Sequence, residues 1–410
     1  MTQRAVRPTA NTGEPPRVVA VTGAAGTLGS GVVRRLAELV DLVIALDVAR
    51  GPELPNVRRR IVDIRDPLLV RDVFEADAIV HLAGLHHPDV APAERRAANV
   101  RGTANVLEAA SAAGVGHVTL VTSAMVYGAY QDNPVPLDET APLRAERDDS
   151  LVGDFVEIER QAESHRHTDP GVNVAVLRPA TLVGPGADSV LTRHFESRRL
   201  LVVRGSAPLW QFCHVSDLET ACVAAVTQRL DGPYDVAPDG WLTQTDVETI
   251  SGKSRLELPP SVAFTTAERL YRAGVTRAPA SELAYLAHPW VVAAQRLRDT
   301  GWTTEHDNVE GLRAQLALAE GHTAFGGRRV GREEATFAAA GAAGATAALI
   351  GAAAVVRARR KRRGSRRGRS LRPRRCAGAR LRLEPSRAHS RHRRRRDRAR
   401  LRVGARPARP

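Results

Sequence analysis

Three glycines at a spacing of three, Gly23, Gly26 and Gly29, are the residues of this chain best suited to chemistry. They lie in Val-Val-Ala-Val-Thr-Gly-Ala-Ala-Gly-Thr-Leu-Gly-Ser-Gly, residues 18–31. A turn without Cβ atoms lets a pyrophosphate come close to the backbone. The free amides of a helix start then face the anion, and the helix dipole favours its charge. Asp47 follows 18 residues beyond Gly29, close to the ~20-residue offset of a carboxylate that receives a ribose 2′-hydroxyl. Such a carboxylate repels a 2′-phosphate, so the pattern predicts NAD in preference to NADP.

The elements that must hold these residues are legible on either side. Val18 to Val21 reads as a buried parallel strand, and Ser30 to Glu38 has a helical pattern. Leu42 to Leu46 is a second apolar strand that delivers Asp47 at its end. Arg58 to Asp66 predicts a short strand ending in acids, then a helix to about Phe74. Ala78 to Gly84 predicts a strand and turn, 93–113 a helix stopped by Gly114, His117 to Ser123 a strand, 152–167 a helix, and Asn173 to Leu177 a strand. Strands alternating with helices predict an α/β fold of Rossmann type, a doubly wound parallel sheet. From Pro179 onward Pro and Gly become frequent, and segments 180–215 and 233–320 predict a smaller substrate lobe over the sheet's carboxyl edge. All four tryptophans fall in this half and are expected in the lobe core.

At 410 residues the chain can bury one large core and a smaller lobe. Its charge is uneven. Residues 357–410 hold 25 Lys and Arg against Glu384 and Asp397, a net of +23; set against +15 for the whole chain, this leaves −8 over residues 1–356. The body therefore gives no reason to expect specific nucleic-acid binding. Cys213, Cys222 and Cys376 have neither metal-ligand spacing nor the count for a disulfide framework. Lys253 and Lys361 are the only lysines.

Thr22-Gly23-x-x-Gly26-x-x-Gly29, Asp63-Ile64-Arg65-Asp66, His81-Leu82-Ala83-Gly84, Asn99, Thr122-Ser123-Ala124-Met125-Val126-Tyr127-Gly128, Arg178-Pro179, Gly184-Pro185-Gly186 and His214-Val215-Ser216-Asp217-Leu218 occur in this order. On these marks the chain, from about 17 to 320, resembles the extended short-chain dehydrogenase/reductase family, the NAD-dependent epimerase/dehydratase group. The resemblance implies a cofactor site made by Thr22, Gly23, Gly26, Thr27, Leu28, Gly29, Asp47, Leu82, Ala83, Gly84, Asn99 and Thr122. It further implies Asp63 and Ile64 at the adenine and Ser123 at the catalytic serine position.

The resemblance breaks where the chemistry is done. Members of the family carry a Tyr-x-x-x-Lys pair one helical turn apart, so that both side chains share a face. With Glu163 set on the family's helix glutamate, Phe155 takes the tyrosine place and Glu159 the lysine place. No lysine precedes Lys253, so no shift of register restores the pair. Phe155 has no proton to exchange. Glu159 can still accept hydrogen bonds from ribose hydroxyls, and a solvated helix-face acid is the plainer reading of the same residue. Thr181 and Gln211 stand where sugar-nucleotide epimerases have asparagine and a phosphate-gripping arginine. Glutamine cannot make that bidentate grip, and Arg193, Arg198, Arg199 and Arg204 read as surface charge. His86-His87-Pro88-Asp89 lacks a third ligand for a metal. His214 and Asp217 read as structural hydrogen-bonding groups.

Phe337 to Val356 carries no charge and has the length to cross a bilayer, although eleven alanines and three glycines leave it marginally apolar. Residues 1–16 and the Arg-rich 357–410 are expected to be disordered. The tail can meet anionic lipid or nucleic acid without specificity, and its composition also fits a frame-shifted reading of GC-rich coding sequence. The body, about 17–325, is expected in the cytoplasm, with membrane association through the C-terminal segment as an option. Pairing of two copies through 93–113 and 152–167 is the expectation carried by the resemblance. Two functions fit: an NAD-dependent oxidoreductase of unknown small-molecule substrate with an altered catalytic pair, or a non-catalytic NAD-sensing or scaffold protein.

Overall fold

Val18–Thr22 (β1) is hydrogen-bonded on both sides, to Leu42–Asp47 (β2) and Ala78–His81 (β4), both parallel to it. The computed structural model describes residues 15–330 apart from Pro52, 274–275, 277–278, 321–322 and 326–327. Val57–Ile61 (β3) adds beyond β2. On the other side follow His117–Val121 (β5) and Asn173–Pro179 (β6), and the sheet order is β11-β6-β5-β4-β1-β2-β3. Thr181–Val183 (β7), Leu200–Val203 (β8), Leu209–Trp210 (β9) and Phe212–His214 (β10) lie outside this sheet, and Gly232–Val236 (β11) closes it, parallel to β6. Sequence reading assigned 233–320 to the lobe, but its first strand belongs to the main sheet. Pro233 conceals it, and an edge strand tolerates that residue.

The inner strands read as apolar runs because both faces are covered. Val19, Val21, Val43, Ala45, Val80 and Leu177 point into one core. That core receives Thr27–Ala37 (α1) through Val32, Val33 and Leu36, and the later helix Val215–Thr227 through Leu218, Ala221 and Ala225. Their neighbours Ala20, Ile44, Leu46, Ile79, Val118 and Val174 point into a second core. It is filled by Leu69–Val73 (α2), by Gly102–Ala113 (α4), which continues the helical run of Pro92–Arg96 (α3) and Ala97–Arg101, and by Leu151–Thr168 (α5). Gly114 ends α4 in the left-handed region at φ 70°. The expected single helix over 93–113 is interrupted at Ala97–Arg101 by a π-helical turn, a device often found at functional sites.

Beyond β6 the pieces shorten. β7 pairs with β10, β8 with Arg255–Leu258, and β9 with Leu242–Thr243. Trp210, Trp290 and Trp302 are buried as expected, whereas Trp241 is 37% exposed. No helix among the described residues is long and apolar enough to cross a membrane. The expectations for 1–14, 337–356 and 357–410 lie outside the described residues.

Candidate functional site

A cavity of about 420 Å³ opens at the carboxyl ends of β1, β4, β5 and β6. Gly23, Gly26, Thr27, Leu28 and Gly29 form one end of it. Gly23 has φ 68°, and a Cβ there would lie 2.6 Å from the Ala83 nitrogen; a Cβ on Gly29 would lie 1.9 Å from the Gly23 oxygen. Gly26 caps α1 without a side-chain hydrogen bond, so the first-turn amides are not consumed by a capping group.

Thr22 stands behind the turn. Its buried hydroxyl hydrogen-bonds His81 Nδ1 at 2.7 Å and accepts from the amides of Leu82 and Ala83, both at 3.2 Å. Thr22 thus fixes the wall made by Leu82, Ala83 and Gly84 without lining the cavity itself. Burial, with His86 nearby, pushes the pKa of His81 down to about 4. Asn99, delivered by the π-helical turn, brackets Leu85: its Oδ1 accepts from the Leu85 amide at 2.7 Å and its Nδ2 donates to the Leu85 carbonyl at 3.2 Å.

Asp47 borders an adjoining depression with Ala25, Ala49, Gly51 and Arg59. Its Oδ2 accepts from the Ala25 amide and its Oδ1 from the Ala49 amide, each at 2.9 Å. Asp63 and Ile64, expected at the adenine, border neither space. The Asp63 carboxylate is paired with Arg65 at 2.5 Å, which holds its pKa below the usual value. Ile64 packs under Gly102, where an added Cβ would meet its Cδ1.

The wall supplied by α5 is apolar where it meets the cavity. Ser150 caps this helix by accepting from the Gly153 amide at 3.0 Å, and the residues it turns to the cavity are Leu151, Phe155 and Ile158. Glu159 does not border the cavity. Its Oε1 accepts from Thr122 Oγ1 at 2.7 Å and from Arg178 Nε at 2.9 Å, and its Oε2 from Arg178 Nη2 at 2.8 Å. The two side chains are only 5% and 6% exposed. Arg178 continues to Tyr127 Oη at 2.8 Å, which donates to Asp235 at 3.0 Å. Burial opposes the charge of Arg178, but Glu159 and Tyr127 hold its pKa above the ordinary value. Burial, with Glu139 beside it, pushes the pKa of Asp235 well up. Both the ribose role and the solvated-acid reading of Glu159 give way to a buried ion pair. Thr122, through the same pair, turns its hydroxyl away from the cavity.

Ser123 borders the cavity and its Oγ accepts from the Met125 amide at 3.2 Å. The sequence raised His86 only as a metal ligand. Its ring stands edge-on to Phe155, with centroids 5.5 Å apart, and opens onto the cavity. The protein groups crowded round the ring, with Arg95 close by, lower its pKa. Of the titratable residues bordering the cavity, His81 is tied to Thr22 and Thr103, and His87 and Asp188 to each other at 3.1 Å. His86 has no hydrogen-bonding partner among the described residues. The signal available was its position in the loop just after β4, at the sheet edge where ligands bind.

Two of the groups considered for a phosphate, Arg193 and Gln211, are committed elsewhere. Arg193 is buried, not surface charge, and binds Asp188 at 2.7 Å and Asp89 at 3.0 Å, clasping the loop after β4. Gln211 donates to the carbonyls of Pro238, Gly240 and Val292 and accepts from the Val292 amide. Asp217 accepts from the Glu305 amide at 2.7 Å and meets His306 Nδ1 at 3.2 Å, and His214 caps its helix. Asp217, Glu305 and His306 converge closely enough to hold a metal ion, but Asp217 already spends both oxygens on those two protein partners.

A parallel sheet with helices on both faces and a glycine turn at its switch point defines a Rossmann-type α/β protein. The family model for the NAD dependent epimerase/dehydratase family matches residues 19–237, and the chain belongs to that family. An uncharacterized protein of Mycobacterium tuberculosis is 28% identical over 311 residues, 72% of this chain and 82% of its own length. A 3-diazoavenalumate denitrifying reductase of a Streptomyces species is 30% identical over 248 residues, 54% of this chain and 76% of its own. MoeE5 in complex with UDP-glucuronic acid and NAD superposes with a TM-score of 0.57 at 23% identity, covering 74% of this chain and 98% of MoeE5. The Thermus thermophilus UDP-glucose 4-epimerase complex with NAD gives 0.54 at 22%, covering 74% and 99%.

Proposed function

We propose that this protein binds NAD(H) across the glycine turn and transfers hydride at the apolar end of the cavity without a Tyr-x-x-x-Lys pair. The observation that carries this reading is the glycine turn, packed so closely on itself and on Ala83 that a Cβ at Gly23 or Gly29 would strike backbone, with the cavity running on from it to a wall of Leu151, Phe155 and Ile158. The α1 amides would receive the pyrophosphate. Asp47 would receive the adenosine ribose, giving NAD the advantage over NADP. NAD in the similar solved structures supports the choice of cofactor. When bound, the nicotinamide supplies the hydride donor or acceptor.

The family pair must share the cavity face. On α5 the positions four apart that do so are Leu151 and Phe155. The register is therefore one turn earlier than the sequence suggested: Leu151 at the tyrosine, Phe155 at the lysine, and Glu159 at the helix glutamate. His86 is the group left to hold or release a proton, and its lowered pKa keeps the imidazole neutral near pH 7.

Among the described residues bordering the cavity none is Arg or Lys. A second diphosphate would find no cation there, so the substrate is an uncharged alcohol or carbonyl compound, not a sugar nucleotide. A reductase among the relatives agrees with hydride transfer as the chemistry. The same apolar wall also suits an NAD-sensing protein with no turnover.

Titration of the full chain with NAD⁺ and NADH, followed by a screen of NADH consumption at 340 nm, tests the reading. One-site binding and turnover of uncharged carbonyl compounds, with none of UDP-glucose, is expected. Binding without turnover would leave the sensor. Failure to bind either nucleotide would overturn both.

A further inference from the structure

Beyond the glycine turn the cavity wall is tied together by contacts between separate stretches of chain. Phe155 of α5 meets the ring of His86 edge-on, with centroids 5.5 Å apart. The turn Ala124–Tyr127 packs on α5 and brings Met125 to the same cavity. From the lobe, Tyr285 reaches back to that turn, where its Oη donates to the Met125 carbonyl at 2.7 Å. The Tyr285 ring stands edge-on to Trp290, with centroids 5.4 Å apart, and its carbonyl accepts from Trp290 Nε1 at 3.1 Å. Trp290 borders the cavity in turn.

These bonds take polar atoms away from the cavity. Trp290 has given its side-chain donor to Tyr285, and Tyr285 its hydroxyl to Met125, so the Trp290 ring offers the cavity carbon alone. Phe155 has no polar atom to offer. Met125 adds a polarisable thioether, which pairs favourably with an aromatic ring. Phe155 and Trp290 are only 5% and 6% exposed, so both rings are held in place before a ligand arrives. A saturated, hydroxylated ring among them would set hydroxyls against carbon. A flat ring instead gains stacked or edge-on contact with two aromatic side chains, beyond what its area alone supplies. Beside this wall stand His86 and Ser123, whose Oγ accepts from the Met125 amide and keeps its own proton to donate. Together they suit a single oxygen.

We propose that the substrate is an aryl aldehyde or ketone, its ring among Met125, Phe155 and Trp290 and its carbonyl oxygen towards His86 and Ser123. This rests on the hydride-transfer reading above and narrows it. The carbonyl carbon receives the hydride of NADH, the π pair moves to oxygen, the oxygen takes one proton, and NADH leaves as NAD⁺. The product is a benzylic alcohol.

The test is calorimetric titration of the full chain, first with NADH and NAD⁺, then of its NAD⁺ complex with acetophenone and with cyclohexyl methyl ketone, the saturated ring of the same size. NAD⁺ reduces neither ketone, so binding is read without turnover. Acetophenone is expected to bind more tightly than cyclohexyl methyl ketone by roughly tenfold or more. Trp290→Phe, which keeps a ring, should hold that preference, and Trp290→Leu should cut it to within about threefold. Nucleotide binding with equal affinity for the two ketones, or with neither ketone bound, would overturn the aromatic site and leave the nucleotide reading intact. A preference unchanged in Trp290→Leu would overturn the site as well. Failure of the wild-type chain to bind either nucleotide would remove the nucleotide reading and the substrate with it.

Discussion

The glycine turn and the helix Leu151–Thr168 border one cavity, yet they have kept opposite things. The turn is a backbone cradle with no titratable side chain. The helix is rich in charge, but Asp154, Glu157 and Glu159 are spent on Arg95, Arg160 and Arg178, and what it shows the cavity is apolar. A backbone cradle depends on the absence of side chains, so it survives any change elsewhere that leaves the strands in register. A catalytic pair depends on two side chains, and two substitutions remove it without disturbing the sheet.

Breaking the helix side should have the larger effect on stability. Glu159→Lys, which the sequence register alone would suggest as a repair, puts a second cation against Arg178 where both side chains are nearly inaccessible. Removing one partner of such a buried pair costs about 3–5 kcal/mol, and reversing its charge costs at least as much. Urea unfolding should report that loss. Leu151→Tyr with Phe155→Lys, on the cavity face, should fold with a smaller penalty, and equal losses for the two designs would contradict the corrected register.

A smaller effect is expected from pH. Burial holds His81 and His194 neutral down to about 4 and His117 down to about 3. As pH falls from about 6.5 towards 4, the unfolded chain protonates these three while the folded chain does not, which destabilises the fold. Asp235 and Glu282, whose pKa values burial raises, Glu282's to about 7, hold protons in the folded state that the unfolded chain has lost, which works the other way. The histidines outweigh the carboxyls, which leaves a net loss of stability as pH falls. Urea midpoints at pH 6.5 and pH 5 should differ in that direction, the lower pH being the less stable. A higher midpoint at pH 5 would mean that the carboxyls outweigh the histidines.

The first six strands of the sheet, the glycine turn and the stop at Gly114 were legible because they rest on local rules: apolar runs, missing Cβ atoms and a left-handed φ. What was not legible depends on facing. Phe155 and Glu159 are one turn apart, and only the packing of α5 decides that Phe155 meets the cavity while Glu159 meets Arg178. Glu159 and Arg178 are 19 residues apart in sequence, and nothing local announces the pair. Arg193 reads as surface charge because its partners Asp188 and Asp89 come together only in the fold. His86 was weighed as a metal ligand, and its place beside Phe155 appears only when β4 and α5 share a cavity.

The central claim is that the turn, not the charged face of α5, holds the nucleotide. NADH affinity measured by fluorescence on the full chain, for wild type, Glu159→Gln and Gly29→Val, tests it most directly. The account predicts that Glu159→Gln, in urea-free buffer at a temperature where it is folded, binds NADH within about twofold of wild type, and that Gly29→Val loses roughly a hundredfold or more, since a side chain there enters the Gly23 carbonyl. A tenfold loss in folded Glu159→Gln with binding retained in Gly29→Val would contradict it.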